Sequence, residues 1–266
     1  MEFFESLHPV ALAALGTGFT FFMTALGAAM VFFIRDENNA SLQRIFLGFA
    51  AGVMIAASVW SLLIPAIELG EELGMPGWLP AAGGFVLGVV FLLLLDTIIP
   101  HLHPGSTDSE GPKTKLPGST LMVLAVTLHN IPEGMAVGLA CAMAASGTGS
   151  AAAAIALCIG MGLQNFPEGA AVSLPLQKDG FSKGKAFVYG ALSGFVEPVG
   201  GILAVLVAGG IAPLMPWFLS FAAGAMMYVV VEELIPEANL GEHSNSGTIG
   251  ALAGFLIMMI LDVALG

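Results

Sequence analysis

The sequence predicts an all-α membrane protein with eight transmembrane helices in a 3+2+3 inverted-repeat arrangement. Three observations lead there: an apolar composition, basic residues confined to a few short stretches, and an internal repeat. Of 266 residues, 57% are hydrophobic and 10% charged, and the mean hydropathy is +0.92. Soluble globular domains carry about 25% charged residues, so the composition belongs to the membrane class. Residues 1–266 read as a single transmembrane domain.

A helix needs about 20 apolar residues to cross a bilayer, and eight runs qualify. The first, 8–34, follows MEFFESL, which lacks the basic flank of a cleavable signal, so this run is expected to remain in the mature protein. The second, 42–68, contains FLGFAAG, and the third, 78–101, contains Gly84, Gly88 and Asp96. Between 103 and 117 lies HPGSTDSEGPKTKLP, whose Gly, Pro and Ser content marks a loop, expected on the cytoplasmic side. The fourth run, 118–145, carries HNIPEG, and the fifth, 149–176, carries QNFPEG. The sixth, 184–209, contains Glu197-Pro198; the seventh, 213–237, contains FLSFAAG; the eighth, 247–265, contains Gly250, Gly254 and Asp262. Cys141 and Cys158 fall within runs and read as small core residues.

The seven basic residues are Arg35 and Arg44, Lys113 and Lys115, and Lys178, Lys183 and Lys185. They occupy the connections 1–2, 3–4 and 5–6, all on one face. By the positive-inside rule that face is cytoplasmic and both termini are extracytoplasmic, in a multi-pass protein of the cell inner membrane. The repeat has the matching symmetry. FLGFAAG at 46–52 pairs with FLSFAAG at 218–224, LIP at 63–65 with LIP at 234–236, and Gly84, Gly88 and Asp96 with Gly250, Gly254 and Asp262. A weaker match joins run 1 to run 6 through Phe22/Phe195 and Gly27/Gly200, and HNIPEGMAVGLA pairs with QNFPEGAAVSLP. Inverted repeats are characteristic of secondary transporters, whose site lies at the repeat interface near mid-membrane.

Ionisable groups deep in hydrocarbon cost several kcal/mol and need a reason. His129, Asn130 and Glu133 share one face of the fourth helix, and Gln164, Asn165 and Glu168 one face of the fifth. Glu197 adds a third carboxylate from the sixth. Pro132 and Pro167 free the carbonyls of Leu128 and Leu163, and Gly134 and Gly169 leave room for a second helix or an ion. Three clustered glutamates in low dielectric must hold protons or a cation. An imidazole with carboxylates suits zinc, iron or manganese rather than magnesium or calcium. The seven donors exceed the four of one tetrahedral ion, so two adjacent ions bridged by carboxylates are expected. An intramembrane metalloprotease would show H-E-x-x-H, which is absent. A proton pathway would not need His129 or the amides.

At these residues the sequence resembles the ZIP (Zrt/Irt-like) family of divalent metal transporters, most closely its bacterial GufA-type branch. The carrying segments are TLHNIPEGMAVG at 127–138, QNFPEGAAV at 164–172 and GFVEPVGG at 194–201, flanked by GFAAGVMIAAS at 48–58 and VVEELIPEA at 230–238. The resemblance implies a non-enzymatic carrier of zinc, with iron, manganese and cadmium as further cargo, and no cofactor beyond the transported ions. It implies a first ion on His129, Glu133, Gln164 and Glu168 with Met54 nearby. A second ion would sit on Asn130, Glu133, Asn165, Glu168 and Glu197. It also implies a homodimer in membrane lipid, no nucleic-acid partner, and an elevator motion of the first, fourth, fifth and sixth helices. The chain departs from the family in having Glu232-Glu233 where many relatives have histidine before the glutamate, and in Arg44 at the start of the second helix. It also lacks a histidine-rich loop. Asp96, His101 and His103 read as either an exit-side or regulatory metal site or an ordinary solvated membrane edge.

Overall fold

In the computed structural model the residues described are 7–34, 40–99, 112, 117–208, 212–239 and 244–265. Every regular element among them is helical. The eight spans run Pro9–Phe32, Ser41–Glu72, Trp78–Ile98, Gly118–Ser146, Ala151–Lys178, Lys183–Val207, Met215–Ala238 and Ser246–Leu265. Seven of these are long and apolar enough to cross a membrane by length and composition. The fifth is not among the seven. It has 28 residues, ample length, but Gln164, Asn165, Glu168 and Gln177 dilute its apolar character. The second span also runs four residues past its expected end, to Glu72.

The helices pair by repeat. The second span packs along the eighth and the third along the seventh; the first packs along the fifth and the fourth along the sixth. Glycines bring the first two pairs to backbone contact. A Cβ at Gly48 or Gly52 would overlap the carbonyl of Gly247 or Ala251, and one at Gly250 or Gly254 would overlap that of Ile45 or Phe49. Gly88 and Gly224 do the same between the third and seventh spans, against Phe221 and Phe85. This is small-residue helix packing as membranes favour it.

Three irregularities position the polar centre. The second and seventh spans each contain a π-helical turn, Ser58–Leu63 and Val230–Leu234, directly before the repeated LIP proline. Pro65 and Pro236 offer no N–H to the preceding turn. The Ile64 N–H then reaches back five residues to Val59 O, and the Ile235 N–H to Val230 O. The sixth span breaks at Gly194-Phe195, and a new helix begins at Val196. By contrast, the fourth and fifth spans run as continuous helices through Pro132 and Pro167.

Candidate metal site

The fourth, fifth and sixth spans bury six of the expected donors, four of them joined in one hydrogen-bond network. Asn130, Gln164, Asn165 and Glu197 are fully buried, Glu133 is 1% exposed and His129 4% exposed. Glu168 is half-buried. Gln164 Nε2 donates to Glu133 Oε2 at 2.7 Å and to Asn165 Oδ1 at 2.6 Å. Asn165 Nδ2 donates to Glu197 Oε2 at 2.8 Å. A chain of amides therefore links the carboxylate of the fourth span to that of the sixth.

The break in the sixth span feeds this network. The Glu197 N–H bonds Gly194 O at 3.1 Å instead of continuing the α-helical pattern. That leaves the Ser193 carbonyl open, and Asn130 Nδ2 donates to it at 3.2 Å. The glycines after the two glutamates accommodate helices rather than ions. A Cβ at Gly134 would overlap the Glu197 backbone, and one at Gly169 the Thr24 carbonyl.

Among the described residues three amide oxygens are buried without a hydrogen-bond partner: Gln177 Oε1 near the end of the fifth span and, at the centre, Asn130 Oδ1 and Gln164 Oε1. Burying an unpaired polar atom costs about 1–3 kcal/mol. The two at the centre belong to the expected donor set, and both are suited to a cation. Among the described residues, no three histidine, cysteine, aspartate or glutamate side chains converge closely enough to hold one ion. In this arrangement the amides stand between the charged groups.

A cavity of about 40 Å³ reaches the centre from one end. His129, Glu133, Glu168 and Met54 line its inner part, and Gln43, Val172 and Glu237 its outer part. These outer residues lie toward the connections 1–2, 5–6 and 7–8, the face that carries the basic residues. A larger cavity, about 290 Å³, opens toward the opposite face and is lined by Ser61, Glu68, Glu72, Ser150 and Asp262 among others. Ser61 Oγ donates to Asp262 Oδ1 at 2.7 Å. The two cavities share no residue. Along the fourth span, buried Ala136, Val137 and Leu139 separate Glu133 from Ala140 in the larger cavity; along the fifth, Leu157 and Met161 separate Ala154 from Gln164. The centre is thus open on the basic side and closed on the other.

Of the remaining expected residues, Met54 is 1% exposed at the cavity wall. Asp96 is buried against Tyr228 of the seventh span and lies outside this cavity. His101 and His103 lie outside the described residues. Sequence reading missed Glu233 as a member of the central cluster. The π-helical turn points it inward, 5% exposed, with Oε1 3.0 Å from His129 Nε2, while Glu232 is exposed. It also missed Thr20 and Thr24, both fully buried on the first span.

A helical bundle with a buried carboxylate and amide centre, reached by a cavity from one face and sealed by apolar side chains from a second cavity on the other, is laid out as a membrane carrier. The ZIP zinc transporter family profile matches residues 108–262. The chain is 38% identical to the human zinc transporter ZIP11, over 96% of this chain and 97% of that protein. It is 40% identical to zinc transporter ZIPB of Bordetella bronchiseptica, over 98% of this chain and 84% of the relative. It is 37% identical to zinc transporter GufA of Myxococcus xanthus, over 91% and 94% respectively. The chain belongs to the ZIP family of metal-ion transporters, and is a multi-pass membrane protein rather than an enzyme.

Proposed function

We propose that this protein carries divalent transition-metal ions, zinc foremost, into the cytoplasm through a two-ion site at mid-membrane. The first ion would use His129, Glu133, Gln164 and Glu168, with Met54 beside it. The second would use Asn130, Asn165 and Glu197, with Glu133 and Glu168 bridging. The observation that carries this reading is the pair of orphaned amide oxygens, Asn130 Oδ1 and Gln164 Oε1, within a cluster of buried glutamates. Acceptors gathered in a dry interior with too few donors are stabilised by a cation.

Loading requires local rearrangement. The Gln164 amide must turn away from Glu133, and Asn165 must yield Glu197 Oε2, before the carboxylates can share ions. The cavity open toward the basic face supports a state that communicates with the cytoplasm, given the positive-inside orientation. The pairing of spans 1, 4, 5 and 6, and of 2, 3, 7 and 8, supports an elevator in which the first group carries the ions past the second. We also expect a homodimer, and no cofactor beyond the cargo. The test is uptake of radioactive zinc by proteoliposomes, with iron, manganese, cadmium and magnesium as competitors. Competition by the transition metals and not by magnesium is expected. Equal competition by magnesium would contradict the donor-set argument.

A further inference from the structure

The first span takes part in the same centre. In the register that matches Phe22 with Phe195 and Gly27 with Gly200, Thr24 is the counterpart of Glu197 and Thr20 that of Ser193. The structure keeps this correspondence in its hydrogen bonds. Asn130 donates to Ser193 O at 3.2 Å, and its repeat partner Asn165 donates to Thr20 O at 3.3 Å. Gly134 seats the Glu197 backbone, and its repeat partner Gly169 seats that of Thr24. Thr24 and Glu197 therefore meet across the pseudo-twofold axis, both fully buried.

Threonine inside a helix ordinarily bonds a carbonyl one turn back. Thr17 does so, donating to Ala13 O at 2.7 Å. Thr24 Oγ1 has a choice: Thr20 O lies 3.3 Å away and Glu197 Oε1 3.2 Å away. A hydrogen bond to a carboxylate is roughly twice as strong as one between neutral groups, so the single hydroxyl proton favours Glu197. The Thr20 hydroxyl instead donates to Thr17 O at 3.0 Å, as a helical threonine ordinarily does. Gly194, at the break in the sixth span, leaves the space into which the Thr24 side chain packs.

We infer that Thr24 is the positioning residue for Glu197: it holds Oε1, fixes the plane of the carboxylate, and leaves Oε2 to exchange Asn165 for the second ion. The inverted repeat thus contributes an acid from one half and a hydroxyl from the other, so the centre carries one carboxylate at these paired positions instead of two. The inference rests on the two-ion reading above. Hydrogen-bond partners behind a metal ligand typically contribute 10–100-fold in affinity.

The experiment is a calorimetric titration of the purified full chain with cadmium, comparing wild type, Glu197→Ala, Thr24→Val and Thr24→Ser. Valine keeps the shape and removes the hydroxyl; serine keeps the hydroxyl. Glu197→Ala should lose the second ion. Thr24→Val should retain the first ion and weaken the second by about 10-fold or more, with Thr24→Ser close to wild type. If Thr24→Val does not purify folded, Thr24→Ala reads the same loss. A normal second ion in the valine or alanine variant, alongside its loss in Glu197→Ala, overturns the role of Thr24 alone. So does a serine variant as weak as valine, which would mean that packing matters and the hydroxyl does not. Two ions bound normally by Glu197→Ala would overturn the two-ion reading and this inference with it.

Discussion

Single side chains set what the centre can hold, and they separate the two proposed ions. His129 is the only imidazole in the donor set and belongs to the first. His129→Ala should therefore lower first-ion affinity by at least 10-fold while leaving the second largely intact; equal loss of both in a cadmium titration would contradict that division. Carboxylate and imidazole ligands bind metal only when deprotonated. Apparent zinc affinity should fall steadily as pH drops from about 7.5 to about 5.5, with protons released on binding, and an affinity flat over that range would count against this ligand set. The donors from HNIPEG and QNFPEG were legible because a histidine, amide or glutamate inside an apolar run stands out by its desolvation cost. Thr20 and Thr24 were not, since a buried threonine usually satisfies itself on its own backbone and carries no such signal. Glu232-Glu233 was ambiguous for another reason. Both lie near the end of a span, and only the π-helical turn decides that Glu233 faces His129 and Glu232 the outside.

At the scale of elements, hydropathy and the cationic connections were enough to find eight spans. The repeat was enough to relate them, because glycine, proline and acid recur at matched positions. Two things were beyond that reading. The π-helical turns depend on which carbonyls a proline frees and on what then accepts an N–H five residues on. The break at Gly194-Phe195 leaves the Ser193 carbonyl to a donor, Asn130, on a different helix, a partner that no local pattern names. Small residues such as Ala50, Ala51, Gly52 and Ala222, Ala223, Gly224 are compatible by composition with either a sliding surface or fixed packing. For Gly52 and Gly224 the structure answers in favour of fixed packing, since both abut backbone of their paired helix. Gly52→Ala should accordingly lower stability by about 1–3 kcal/mol, read as a lower melting temperature in detergent, without changing ion affinity in the folded fraction. Gly160 differs: it faces the flexible side chain of Met258 across the boundary between the two helix groups. Gly160→Ala should leave the melting temperature within about 2 °C of wild type, a shift that corresponds to less than about 1 kcal/mol for a chain of this size. A larger fall for Gly160→Ala than for Gly52→Ala would contradict this assignment.

The molecule as a whole is two groups of four helices with the polar centre between them, open toward the basic face and sealed by apolar side chains toward the other. If the groups move past one another, the second and fifth spans must change register during transport. A disulfide engineered between them, in a background lacking Cys141 and Cys158, should stop zinc flux and release it on reduction. Unchanged flux with the bond formed would exclude sliding of these helices as the transport step. The most direct test of the whole proposal is zinc uptake by proteoliposomes carrying Glu168→Ala, checked for folding by size-exclusion chromatography. Glu168 is the proposed bridge between both ions and lines the cavity that reaches them, so folded Glu168→Ala should take up no more zinc than empty vesicles. Uptake at the wild-type rate would contradict transport through this carboxylate cluster.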